Sequence, residues 1–173
     1  MIFNTQPPKN KILVVYHANC ADGFTAAWLM YKYSACLPAA EFVFHAALYH
    51  ETCPPQLLET SEDKDQYIHV YMVDFSYPRP ALDAMMARFP ETNFTLIDHH
   101  KTAMEALLDK PGLICRCSSE YCGAMGVFKF ISRPELKESL PPGYALAGIL
   151  AGHAPWFLAY INDRDLWKHE LPH

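Results

Sequence analysis

The sequence predicts an α/β domain of three layers, a mainly parallel sheet flanked by helices. Three observations carry that prediction. Short apolar runs alternate with stretches of helical period from residue 12 onward, the βαβα pattern that builds parallel sheets. The runs are continuously apolar, as in Ile12-Leu13-Val14-Val15-Tyr16, which is how a strand reads when both of its faces are covered. The 173 residues are 51% hydrophobic and 19% charged, enough apolar surface for one sizeable core and too apolar for a disordered chain.

Taken in order, residues 12–16 form the first strand, and Asp22-Gly23 turns into a helix that places Phe24, Ala27, Trp28, Tyr31 and Ala35 on one stripe. A second strand covers 41–45, and 50–65, with Pro54-Pro55 and mixed charges, is a polar excursion. The third strand, 68–73, ends at Asp74; Pro78 and Pro80 follow, then a short helix at 81–88. Residues 94–97 are a fourth strand, and 112–115 a fifth between helices at 102–108 and 122–131. After Pro141-Pro142 a long apolar helical stretch runs over 144–161, broken near Gly152 or Pro155. There is no internal repeat, and the expectation is a single catalytic domain over 1–173. The stop at His173 without a closing element points to a missing second domain.

Composition narrows the function. With 14 Lys and Arg against 19 Asp and Glu, a formal charge of −5, and no basic run, the chain lacks the footprint of a protein that tracks long duplex nucleic acid. No window approaches the roughly 18 unbroken apolar residues of a membrane span, and residues 1–11 do not read as a signal peptide. A cytoplasmic protein without membrane partners is the expectation. Six cysteines without a CxxC pair read as reduced thiols, and Cys115, Cys117 and Cys122 lack a fourth ligand at zinc-site spacing. P-loop, GxGxxG and GxSxG motifs are absent, which removes support for nucleotide kinase, dehydrogenase and serine hydrolase readings.

Three strands end in a potential metal ligand: His17, Asp74, and the run Asp98-His99-His100. In an open parallel sheet, ligands bind outside the carboxyl ends of the strands, so these residues converge on one rim. Three consecutive titratable groups against a buried strand are costly without partners. A second cluster, His17-Ala18-Asn19-Cys20-Ala21-Asp22-Gly23, puts an imidazole, an amide, a thiol and a carboxylate into one strand-to-helix turn, which suits a cation or a phosphate. Asn162-Asp163-Arg164-Asp165-Leu166-Trp167, after the long helix, adds two acids and an arginine. Imidazoles mixed with carboxylates suit Mn²⁺, Mg²⁺, Fe²⁺ or Zn²⁺ better than a thiolate-rich structural zinc site. Such ions would also provide the positive field that the acidic surface lacks. His45, His50 and His69 fall in or beside strands and read as packing or surface residues, while Tyr16, Tyr49, Phe75 and Tyr77 lie near strand ends where they could stack on a base.

Asp98-His99-His100 resembles the signature that names the DHH phosphoesterase superfamily, which includes RecJ-like exonucleases, hydrolases of short oligoribonucleotides and cyclic dinucleotides, and class II inorganic pyrophosphatases. The resemblance spans most of the chain: His17–Gly23, Asp74, Asp98–His100, and Asp163 or Asp165, in order. It implies two divalent ions, manganese before magnesium or zinc, held by His17, Asp22, Asp74, His99 and Asp163 or Asp165, with Asp74 bridging. By the same resemblance Asp98 orients a histidine and His100 faces the substrate phosphate, so that Asp98, His99 and His100 carry the chemistry. Lys101, Arg164 and Asn19 are candidates to hold the substrate. Where the family carries two aspartates after the first histidine, this chain has Asn19 and Cys20 before Asp22, and Cys20 as a ligand would shift preference toward softer metals. The glycine- and histidine-rich C-terminal domain of many members has no counterpart here. The implied activity is metal-dependent hydrolysis of a small anionic phosphoester, such as a short RNA or DNA oligonucleotide, by in-line attack of water. Rival readings are a pyrophosphate or polyphosphate hydrolase and a non-catalytic metal- or nucleotide-binding module; oligomeric state is open, a dimer included.

Overall fold

In β1 (Asn10–His17), Leu13, Val14 and Val15 have no solvent-accessible surface, as the unbroken apolar run requires of a central strand. The computed structural model describes residues 10–37, 39–58, 67–133 and 153–172. Along the chain follow α1 (Ala21–Ser34), β2 (Ala40–Ala47), the one-turn α2 (Pro55–Leu58), β3 (Tyr67–Val73), α3 (Arg79–Arg88), β4 (Asn93–Ile97), α4 (Lys101–Leu107), β5 (Leu113–Cys115), α5 (Gly123–Ile131) and α6 (Trp156–Asp165). The strands make one sheet in the order β2-β1-β3-β4-β5, with every pair parallel. This doubly wound order has its switch point between β1 and β3, where the crevice of such sheets opens.

Alternate residues of the strands feed two cores. Ile12, Val14, Tyr71, Val73 and Ile97 pack with Leu29 and Met30 of α1, Val127 of α5 and Leu158 of α6. On the other face Leu13, Val15, Val70, Met72 and Leu96 pack with Leu57, with Leu82 and Met85 of α3, and with Leu107 of α4. The result is the expected three-layer α/β domain. Each side chain fully buried in these layers contributes about 1.5–3 kcal/mol relative to exposure, so the sheet is a rigid platform for its rim.

Several boundaries differ from the sequence reading. The polar excursion contains α2, begun by Pro55. Helix α3 starts at Arg79, with Pro80 in its first turn, where a missing N–H costs nothing. Of the long helix expected over 144–161, residues 144–152 lie outside the described residues; α6 begins directly after Pro155 and runs on to Asp165. The Asn162–Asp165 segment, expected after the helix, is therefore its last turn. Leu166 still donates to the Asn162 carbonyl at 3.2 Å, and Trp167, at φ 54°, ends the helix in the left-handed region. No helix among the described residues is long and apolar enough to cross a membrane.

Candidate metal centre

Strand register sets the site. Tyr16 pairs with Val73 and Val73 with Ile97, so the next residues, His17, Asp74 and Asp98, stand level at the carboxyl rim. Asp74 leaves its strand at φ 53°, a conformation that short polar residues tolerate, and its N–H donates to the Ile97 carbonyl at 2.9 Å. At the end of β1, Ala18 donates to the Ala47 carbonyl at 2.9 Å and Asn19 turns at φ 56°. Gly23 then lets α1 press against His17: a Cβ there would lie 2.4 Å from the His17 carbonyl oxygen.

These elements bring the ligand candidates together in three overlapping groups, His17–Cys20–Asp74, Asp74–Asp98–His99–His100 and Asp22–His99–Asp165, with ligand atoms within 4.8 Å of one another in each. Asp74 faces two ways. Its Oδ2 lies 3.8 Å from His17 Nδ1 and accepts from Cys20 Sγ at 3.5 Å. Its Oδ1 lies 3.3 Å from His99 Nε2 and 4.0 Å from His100 Nδ1. His99 Nε2 also stands 3.1 Å from Asp165 Oδ2 and 3.7 Å from Asp22 Oδ2. Asp98 Oδ1 accepts from the backbone N–H of His99 at 2.7 Å and pairs with His100 Nδ1 at 2.7 Å, so the histidine it orients is His100.

Of the two acids on α6, Asp165 is the one that converges. Asp163 is buried and turned the other way, its carboxylate accepting the N–H groups of Glu170 at 2.9 Å and Leu171 at 3.4 Å. That corrects the inclusion of Asp163 among the ligands: residues two apart on a helix face apart. Lys101 is exposed and reaches toward Glu105 at 3.8 Å, and Arg164 and Asn19 are exposed. None of the three joins the convergent groups.

Asp22 does two things. Its Oδ2 accepts from Gly123 N at 2.7 Å and its Oδ1 from Ala124 N at 2.8 Å, which ties α1 to the N-terminus of α5 across about a hundred residues of chain. Gly123 was not singled out from the sequence, yet a Cβ there would stand 2.5 Å from Asp74 Cβ. The available signal was the small-residue turn Gly123-Ala124 opening an apolar helix, with Gly126 three residues on. Asn162, named from the sequence in the third cluster but given no role there, accepts from Cys122 N through Oδ1 at 2.9 Å and fastens α6 to the same corner.

The charges do not balance within the protein. Burial, aided by the Asp22 and Asp98 charges, pushes the Asp74 carboxyl up to about 7 against the pull of His99. Burial also raises Asp165. For His99, burial lowers the pKa, but the bond to Asp74 and the charge of Asp165 outweigh it, for a net rise. The bond to Asp98 lifts His100 to about 9, whereas burial and the neighbouring His100 lower His17. Among the described residues six buried side-chain atoms have no hydrogen-bond partner: Gln56 Oε1 and Tyr77 Oη away from the rim, and His17 Nδ1, Asp74 Oδ1, Asp98 Oδ2 and Asp165 Oδ2 on it. The last four belong to the groups above, and a mixed imidazole and carboxylate set with open lone pairs fits a hard or borderline divalent ion.

No family model matches the chain. It is 29% identical over 181 residues to the uncharacterized protein R106 of Acanthamoeba polyphaga mimivirus, a match covering 97% of this chain and 38% of that protein, so the chain spans under two fifths of that curated relative's length. Among solved structures it is similar to the crystal structure of an uncharacterized protein from Helicobacter pylori G27, with a TM-score of 0.57 and 11% identity over 92% of this chain and 45% of that one. At that identity the likeness is one of fold, and it agrees with the three-layer α/β architecture.

Proposed function

We propose that the chain is a divalent-metal-dependent phosphohydrolase of the DHH phosphoesterase kind, acting as a phosphodiesterase on short oligonucleotides or other small nucleotide phosphoesters. The observation that carries the reading is the set of four buried, unpartnered ligand atoms contributed by β1, α6 and the residues that follow β3 and β4. His17, Cys20 and Asp74 would hold one ion, and Asp22, His99 and Asp165 the other, with Asp74 beside His99. Manganese suits these donors best, with zinc favoured to the extent that Cys20 coordinates. Two such ions supply Lewis acidity toward a phosphoryl oxygen and lower the pKa of water. Asp98 fixes His100 through Nδ1, so that Nε2, 3.5 Å from the Tyr49 hydroxyl, would be the nitrogen that donates to a phosphoryl oxygen.

The test is manganese-dependent turnover of a chromogenic phosphodiester and of a short RNA. Wild-type protein should turn over at least one of them, and Asp74→Asn or His99→Ala should lose at least about 100-fold in kcat/KM. Wild-type rates in either variant would sink the reading. A specific observation favours a second one, a non-catalytic metal- or nucleotide-binding module: Cys20 stands where the family carries an aspartate, and both oxygens of Asp22 are occupied by backbone N–H groups of α5. Calorimetric binding of manganese without product from any phosphoester, under manganese, magnesium or zinc, would select it.

A further inference from the structure

Beside the candidate centre stands an aromatic pair that the ligand set does not use. Tyr49, in the loop after β2, is 57% exposed, and its ring stacks on that of Phe75 at 5.5 Å and 29°. Phe75 is 1% exposed, so a buried ring carries an exposed one. The Tyr49 ring also lies 4.7 Å from that of His17, and its hydroxyl is 3.5 Å from His100 Nε2. Glu51 braces the loop: its carboxylate accepts from Leu48 N at 3.0 Å and pairs with His45 at 2.6 Å, while its own N–H donates to the Leu48 carbonyl at 2.9 Å. Tyr49 is therefore held in place before any ligand arrives, which reduces the ordering cost of binding.

Among the described residues, the ion-pair partners of Asp22, Asp74, Asp98 and Asp165 are all histidines. Lys101, Arg79 and Lys110 are paired with Glu105, Asp109 and Asp83. Among the described residues no lysine or arginine pairs with these acids, so the phosphate of any substrate would rest on the ions and His100, which a pyrophosphate and a nucleotide share. A nucleotide brings a π-face as well as a phosphate. The ring centroids of His100 and Tyr49 are 6.4 Å apart, a span that one ribose can bridge.

We infer that Tyr49, backed by Phe75, is the base-stacking platform of this site, and that its substrate class is nucleoside phosphoesters rather than inorganic phosphoanhydrides. The inference rests on the metal-site reading for the anchoring of the phosphate, and the stacking is measured apart from turnover. The probes are AMP, ribose 5-phosphate and inorganic phosphate, titrated calorimetrically into the manganese-loaded protein. AMP should bind at least about tenfold more tightly than ribose 5-phosphate, the scale of one base on one aromatic ring. Tyr49→Ala should erase that difference, and Tyr49→Phe and Tyr49→Trp should keep it. Equal affinities in the wild-type protein overturn the inference, as does a Tyr49→Ala variant that keeps the preference, or one that weakens both ligands alike. If AMP is preferred through Tyr49 while no phosphoester is hydrolysed, the platform stands and the hydrolase reading falls. Faster turnover of pyrophosphate than of a dinucleotide would leave the hydrolase and remove the platform.

Discussion

Two kinds of buried polar group coexist in this molecule. Away from the carboxyl rim most are complete, Tyr77 Oη and Gln56 Oε1 excepted. His69 bonds Thr95 Oγ1 at 2.8 Å, the Thr92 hydroxyl donates to the Tyr67 carbonyl at 2.6 Å, Lys110 pairs with Asp83, and Asp163 takes two backbone N–H groups. At the carboxyl rim, Asp74 and Asp98 are as deeply buried, yet each keeps an oxygen without a hydrogen-bond partner, as does Asp165, and His17 keeps its Nδ1 so. An unmet buried polar group costs about 1–3 kcal/mol, and the left-handed backbones of Asn19 and Asp74 fall at the same rim. Four of the six unpartnered buried atoms among the described residues thus gather at the rim, all on candidate ligands, while the two in the body of the fold, on Gln56 and Tyr77, stand outside the ligand groups.

The largest test of that contrast removes the central carboxylate. Asp74→Asn should cut manganese affinity by at least about 100-fold, some 2.7 kcal/mol, because Asp74 contributes to two of the three convergent groups. In the absence of metal the same change relieves repulsion from Asp22 and Asp98, so thermal stability should hold or rise. In the wild-type protein, manganese should raise the melting temperature in proportion to its binding. Loss of metal-free stability in Asp74→Asn, with affinity intact, would show that the rim is as self-sufficient as the body.

Next in size is the packing that brings α5 to the rim. Gly123→Ala puts a Cβ 2.5 Å from Asp74 Cβ, so the helix must retreat and loosen its bonds to Asp22. About 3 kcal/mol of stability should be lost, and manganese affinity with it. Gly126→Ala, whose Cβ would meet Ile97 Cγ2 at 3.1 Å, should cost less and leave metal binding unchanged. Thermal melts with manganese titration of both variants check the pair.

A smaller effect probes the body of the sheet by pH. Burial pushes His69 down to about 4, while in the unfolded chain it titrates near 6.5. Between those values the unfolded state holds a proton that the native state excludes, so this contribution is fully present above pH 6.5 and is lost as pH falls toward 4. Discounted for partial exposure, the loss should be on the order of 2 kcal/mol. Urea melts from pH 7 to 4 should show a steeper fall for the wild-type protein than for His69→Gln. Parallel curves would mean that His69 accepts its proton in place.

Much of this was legible beforehand because strands buried on both faces announce themselves. The apolar runs at 12–16, 68–73 and 94–97 fall inside β1, β3 and β4, and the polar residue closing each lands on the rim because parallel register aligns strand ends. What stayed hidden depends on contacts distant in sequence. Gly123 carries meaning only once Asp74 and Asp22 are seen against it, since a glycine opening a helix is otherwise ordinary. Tyr49 is one of four strand-end aromatics that the sequence offers for stacking, and only the fold sets Phe75 beneath it. Choosing between Asp163 and Asp165 needed the last turn of α6, which the sequence reading ended at 161 and which sends the two carboxylates in different directions.

Those two acids give the finest division between body and rim. Asp163 belongs with the completed groups: its carboxylate closes the turn after α6, and Lys168 N bonds its carbonyl at 2.9 Å. Asp163→Ala should therefore cost about 1 kcal/mol of stability, roughly one lost hydrogen-bonded cap, and leave manganese affinity within about twofold because its carboxylate points away from the cluster. Asp165→Ala should do the reverse. It removes a buried oxygen that has no hydrogen-bond partner, so metal-free stability should hold, and it takes a ligand from the group shared with Asp22 and His99, so manganese should bind at least about tenfold more weakly. Calorimetry and thermal melts on both variants separate the roles. If Asp163→Ala weakened manganese as much as Asp165→Ala did, the helical turn would not be sorting the two carboxylates into cap and ligand.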